Sequence, residues 1–217
     1  MIGQPSYSAL VVRLAPGESV VAEGGAMMLM EGDIQVKTKT FGGVMKSLAR
    51  SLFGGQTFFV NEFIAGPGGG SVWLAPRFPG HILYVPLENR SILLTNMAYL
   101  AHHGQVEQSV AWKGLKGLMA RGEFFWLRLK GDGGVWITSF GHLVERELKP
   151  NEKVIVDNFH IVAMDDGMKW NVRKFGGLKS FLFGGEGLVM EIEGPGRIYL
   201  QTRTVLDLLM AIAGVKR

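Results

Sequence analysis

Five histidines, His81, His102, His103, His142 and His160, are the side chains here best suited to ligate a metal or move a proton near neutral pH. His102 and His103 are adjacent, so on a strand they point to opposite faces and cannot share one ion. A metal site needs at least three converging ligands with partners of their own, and the histidine spacing suggests none. The chain has no cysteine, which excludes disulfides and thiolate sites. Glu191 and Glu193 lie on one side of a strand, as an acid/base pair would, but Arg128 and Lys130 stand 63 residues earlier. That exchange fits a solvated face or ion pairs across units better than acid/base work. No serine occupies a G-x-S-x-G elbow. Gly42-Gly43-Val44-Met45-Lys46-Ser47 resembles a phosphate loop only superficially, because no glycine directly precedes the lysine. Gly66-Pro67-Gly68-Gly69-Gly70 is a turn between strands rather than a dinucleotide fingerprint. These residues predict no catalytic residue, no cofactor and no metal.

The elements that position them repeat. Gly104, Gly114, Leu115, Lys116, Gly122, Glu123, Gly131 and Gly133 recur 63 residues later as Gly167, Gly177, Leu178, Lys179, Gly185, Glu186, Gly194 and Gly196. Val135-Trp136-Ile137 recurs as Ile198-Tyr199-Leu200, and Val72-Trp73-Leu74 precedes it by the same step. Glycines at matching places imply matching backbone, so the expectation is one unit used three times. The predicted repeats span 17–86, 87–149 and 150–204 within a single compact domain covering 1–217.

Alternation of apolar and polar residues predicts short strands at 19–22, 27–31, 34–38, 58–64, 71–75 and 81–85 in the first unit. Strands follow at 91–101, 106–112, 123–130 and 135–139, and again at 154–164, 168–173, 188–193 and 197–202. Turns are expected at Gly32-Asp33, Gly66-Pro67-Gly68, Gly104, Gly131-Asp132-Gly133, Asp166-Gly167 and Gly194-Pro195-Gly196. The expected fold class is all-β: three pseudo-symmetric β-rich repeats packed as one sandwich- or prism-like body, with short helices between strands and a C-terminal helix at 204–214. For that helix, Thr204 is the expected N-cap and Gly214 the C-cap. It is apolar nearly all round, so core packing is the expected cover, with a subunit contact as the alternative.

Of the 217 residues, 47% are hydrophobic, enough for a sizeable core. Thirty-one glycines against eight prolines suit many tight turns. The net charge of +4, from 23 Lys and Arg against 19 Asp and Glu, permits contact with an anionic partner without requiring one. The start lacks a leader pattern, and the longest apolar run, 205–215, is shorter than a membrane span. A cytoplasmic location is expected.

Three segments bounded by glycine pairs differ from the rest. The first carries Met45, Lys46, Leu48, Arg50 and Phe53, the second Lys116, Met119 and Arg121, and the third Lys179, Phe181 and Phe183. Each is a short apolar-basic excursion between strands. They read either as turns that plug the ends of the β body or as a candidate partner or membrane surface. Trp73, Trp136 and Tyr199, at matching places, read as core layers or as a stacking platform for single-stranded RNA, and their symmetry favours core.

The Gly-Gly-Ala-Met-Met stretch at 24–28 and the pairs Phe41-Gly42-Gly43 with Leu52-Phe53-Gly54-Gly55, and Phe175-Gly176-Gly177 with Leu182-Phe183-Gly184-Gly185, resemble the altered inheritance of mitochondria protein 24 family. That family includes many uncharacterised prokaryotic proteins. The resemblance covers nearly the whole chain. It implies a β-rich, threefold-duplicated fold similar to the tryptophan RNA-binding attenuation protein, and a role in scaffolding rather than catalysis. The expected function is a non-enzymatic, self-associating scaffold or interaction protein, with a homo-oligomer or another protein as partner. The alternatives are peripheral association with anionic membranes, single-stranded RNA binding, and an enzyme acting on a small ligand.

Overall fold

The computed structural model describes residues 1–40, 58–112, 125–175 and 188–214. The chain is predominantly β with one C-terminal helix. Leu10–Leu14 (β1), Ser19–Glu23 (β2), Met27–Thr40 (β3) and Phe59–Leu74 (β4) come first. Ile82–Pro86 (β5), Arg90–Thr95 (β6), Tyr99–Trp112 (β7) and Trp126–Thr138 (β8) follow. Then come Leu143–Leu148 (β9), Lys153–Asp157 (β10), Ile161–Asp165 (β11), Lys169–Lys174 (β12), Leu188–Glu193 (β13) and Gly196–Gln201 (β14), and finally the helix Val205–Ile212 (α1). The large sheet runs β1-β4-β2-β7-β8-β6-β11-β14-β9, with β3 added on β4 and β5 on β8; a small sheet runs β10-β13-β12. The helices expected between strands fall outside the described residues.

Several expected turns are bends within continuous strands. β3 passes through Gly32-Asp33, β4 through Gly66-Pro67-Gly68, β7 through Gly104, and β8 through Gly131-Asp132-Gly133. The reason is pairing of glycine with glycine: Gly32 lies opposite Gly70 and Gly104 opposite Gly133. Without side chains the two backbones approach closely enough to bend together instead of separating. A Cβ on Gly32 would stand 2.6 Å from the Gly69 carbonyl oxygen. The expected turns at Asp166-Gly167 and Gly194-Pro195-Gly196 do interrupt the strands, between β11 and β12 and between β13 and β14. The predicted strands at 91–101 and 154–164 are each two strands. A 3-10 turn at Asn96–Ala98 separates β6 from β7, and a turn after Asp157 separates β10 from β11. β5, placed by the sequence at the close of the first unit, pairs with β8.

Three strand pairs share one irregularity. Met27 opposes Leu74 and Leu29 opposes Trp73; Tyr99 opposes Ile137 and Ala101 opposes Trp136; Ile161 opposes Leu200 and Ala163 opposes Tyr199. Each pair thus carries an extra residue, Met28, Leu100 or Val162, a β-bulge opposite the same apolar-aromatic step.

The core has three parts. One joins Leu10, Val20, Phe63, Val72, Leu74, Ile82 and Leu100. The central one joins Leu94, Tyr99, Phe125, Leu127, Leu129, Val135, Ile137 and Tyr199. The third packs Val156, Met190 and Ile192 of the small sheet onto Leu93, Trp126, Met164 and Ile198 of the large one. Trp126 and Phe63 are fully enclosed, and burial of this kind contributes about 2–3 kcal/mol per large side chain.

α1 buries none of its residues, so it does not pack into the core as expected. It is held at its start by Thr204, whose Oγ1 accepts a hydrogen bond from the Asp207 amide at 3.0 Å. At the other end Gly214 takes a positive φ of 68°, the cap geometry its sequence position predicts.

Candidate functional site

The candidate surface residues named from sequence, Met45, Lys46, Leu48, Arg50, Phe53, Lys116, Met119, Arg121, Lys179, Phe181 and Phe183, lie outside the described residues. What is described is their anchorage. The three segments leave from the ends of β3, β7 and β12 and return into β4, β8 and β13, the antiparallel partners of those strands.

The histidines do not converge. His102 is buried and His103 half-exposed, on opposite faces of β7 as adjacency requires. His102 opposes Val135, and the residues in the same slot of the other strand pairs are Met30, opposite Val72, and Met164, opposite Ile198. The 63-residue spacing would match His102 with Asp165, so in β11 the correspondence moves by one residue, to Met164. His103 Nε2 lies 3.0 Å from the Tyr84 hydroxyl, and both rings pack near Trp136. His81 and His142 stack at 5.3 Å; burial, helped by His142, lowers the His81 pKa. Among the described residues, no group of three or more His, Asp or Glu is placed to hold a metal ion.

A buried polar chain crosses the contact between β2 and β7, and no local pattern announced it. The Gln108 side-chain amide lies 2.7 Å from His102 Nε2, which lacks any option but to accept. The imidazole proton is then on Nδ1, donated to the Tyr99 hydroxyl at 2.7 Å, and Tyr99 donates to the Val21 carbonyl at 3.2 Å. Burial, with a smaller push from His103, lowers the His102 pKa to about 4. Close by, Glu23 accepts from Arg77 at 2.7 Å. Burial nevertheless raises the Glu23 pKa to about 7, against the pull of that guanidinium. Both ring nitrogens of His102 are engaged by protein side chains, which is the pattern of a structural network. The Tyr99–Val21 and Glu23–Arg77 contacts join residues 78 and 54 positions apart, so only the fold brings them together.

Glu191 and Glu193 form ion pairs within the third expected unit and not across units, because β13 lies between β10 and β12 of that same unit. Arg173 lies 3.2 Å from Glu191, and Lys153 and Lys169 lie 3.3 and 3.6 Å from Glu193. The hydrogen bond from Lys153 is the main cause of the lowered Glu193 pKa. A cavity of about 40 Å³ is lined by Thr95, Thr138, Ser139 and Gln201 among apolar side chains including Phe78 and Phe140. It suits water rather than a substrate.

The most unusual surface is β3. Its residues are exposed on both faces along nearly the whole strand, including Met27, Met28, Leu29 and Met30. The same slots of β7 and β11 are closed: Leu100 and Val162 are 0% and 1% accessible where Met28 is 53%. The sequence predicts a short strand at 27–31, and its four successive apolar residues carry no sign of which neighbour is missing.

The sequence model of the family described as mitochondrial biogenesis AIM24 matches residues 1–203. The chain belongs to the AIM24 family. An uncharacterized protein of Streptococcus pyogenes serotype M6 is 26% identical over 199 residues, which cover 88% of this chain and 79% of that one. The crystal structure of a Streptococcus pyogenes protein, a structural genomics target, superimposes with a TM-score of 0.79 at 23% identity, covering 96% of this chain and 94% of that one. That likeness shows that the AIM24-family chain shares its fold. No helix among the described residues is long and apolar enough to cross a membrane.

Proposed function

We propose that this AIM24-family chain is a non-enzymatic interaction protein that assembles with itself. The observation that carries the reading is β3, a strand whose four successive apolar residues face solvent although the matching slots of β7 and β11 are closed. Exposed apolar ribbon of this kind marks an association surface. α1 adds to it, presenting Leu206, Leu208, Leu209 and Ile212 to solvent. The hydrogen bonds of Tyr99 and His102 inside the body support a structural rather than catalytic use of these buried polar groups.

The architecture under this reading is three repeats: β1–β4, β5–β8 and β9–β14. Its supports are the shared bulge, the parallel placement of Trp73, Trp136 and Tyr199, and the pairing of β1, β5 and β9 with β4, β8 and β14. Multi-angle light scattering on the full chain over a wide dilution series tests the function. Oligomers that dissociate on dilution are expected; a strictly monomeric chain at every concentration would remove the proposal.

A further inference from the structure

Two joints inside the chain define a rule for a third. β2 pairs with β7, Val21 opposite His102 and Ala22 opposite Ala101. β6 pairs with β11, Leu93 opposite Met164 and Leu94 opposite Ala163. In each joint the second strand is the bulged one, and the joined alanine also opposes an aromatic residue on its other side, Trp136 or Tyr199. The first bulged strand, β3, has the same slot at Leu29, opposite Trp73, and among the described residues no strand pairs with its outer edge.

Among the described residues, the strand that belongs in that slot is also bare. β2 and β6 each pair on one side with the strand returning from a glycine-bounded segment, Ala22 opposite Asn61 and Leu94 opposite Leu127. β10 does the same, with Val156 opposite Met190, 63 residues after Leu127. Its other edge is the end of the small sheet. Leu93 is buried in its joint, whereas Ile155, in the matching place, is 56% exposed. The chain therefore ends in two apolar edges of complementary kind that do not pair with each other.

Resting on the self-assembly reading, we propose that β10 of one molecule pairs antiparallel with β3 of a second copy, placing Ile155 opposite Met30 and Val156 opposite Leu29. A second copy is the occupant because the register follows from the two joints the chain already makes. The same register puts Val154 opposite Glu31 and Lys153 opposite Gly32, so both charged side chains stay at the end of the joint beyond its apolar pairs. The contact uses different surfaces on the two molecules, so it runs head to tail and closes as a ring or extends as a filament.

Met30→Lys blocks the β3 edge and Ile155→Lys the β10 edge; both sites are exposed, and circular dichroism checks that each variant folds. Each variant alone is expected to be monomeric in native mass spectrometry, whereas their mixture forms one-to-one dimers, because each retains the edge the other lost. Since the chain lacks cysteine, Met30→Cys and Ile155→Cys give a second readout: the mixture forms a disulfide-linked dimer on oxidation, and neither variant does so alone through this joint. If the natural chain assembles but both lysine variants assemble equally well and the cysteine mixture stays unlinked, the joint is overturned while self-assembly stands. If the natural chain is monomeric throughout, both fall.

Discussion

Gly104 and Gly133 face each other across the β7–β8 ribbon, each occupying the space a side chain on the other would need. A Cβ on Gly133 would lie 3.0 Å from the Gly104 Cα and closer still to the His103 carbonyl oxygen, at a φ of 148° that side chains rarely adopt. Gly133→Ala is expected to lose about 2–4 kcal/mol, strain and displacement together. Gly17 also has a positive φ, 84°, but open space around it. Gly17→Ala should lose only about 1–2 kcal/mol, the conformational part alone. Urea unfolding of both variants decides; equal losses would mean that the close approach at Gly133 carries no extra energy.

Glu23 and His102 give the fold two opposed responses to pH. Glu23 has its folded pKa raised to about 7 from 4.5, so its contribution is fully present below 4.5 and is lost as pH rises through 7. His102 has its folded pKa lowered to about 4 from 6.5, so its contribution is present above 6.5 and is lost as pH falls through 4. Where the windows overlap the two slopes offset. Glu23→Gln removes the first and leaves the second, so the variant should gain stability relative to the natural chain as pH rises toward 7, by about 3 kcal/mol at most. Unfolding midpoints measured between those limits check it, and a constant difference across them would show that Glu23 titrates normally.

How much of this was legible follows from range. The strand content and the helix caps depend on neighbours a few residues apart, and Thr204, Asp207 and Gly214 take the roles their spacing implies. Glycine alone does not distinguish a turn from a bend. Gly104 reads as a chain reversal until Gly133 is known to face it, and then it reads as a bend in a ribbon. The Glu23–Arg77 pair and the Gln108–His102–Tyr99 chain depend on contacts between strands far apart in sequence. The bareness of β3 is a property of what does not pair with it, which its own residues cannot encode.

The direction of the Gln108–His102–Tyr99 chain makes Tyr99 its exit. Tyr99→Phe keeps the ring in the central core but leaves the His102 Nδ1 proton and the Val21 carbonyl without that hydroxyl. A loss of about 1–3 kcal/mol is expected, the cost of burying polar groups unpaired. His102→Leu in the same background should then add little further loss, because the network is already broken. Additive losses in that double-mutant cycle would mean that the hydroxyl and the imidazole act independently.

α1 is a short helix with no fully buried residue, so its stability comes more from its own cap than from the body it is attached to. Ending the chain at Thr204 should therefore move the thermal midpoint of a dilute, unassembled sample by no more than about 2 °C. Replacing Thr204 by alanine should melt the helix with a local cost of about 1 kcal/mol, since it removes the oxygen that accepts from the Asp207 amide. Leu209→Lys with Ile212→Lys should leave the midpoint unchanged, because both side chains face solvent. A large drop from the truncation alone would place the helix against the core, whereas an unchanged midpoint with weakened assembly would assign its apolar surface to contact between molecules.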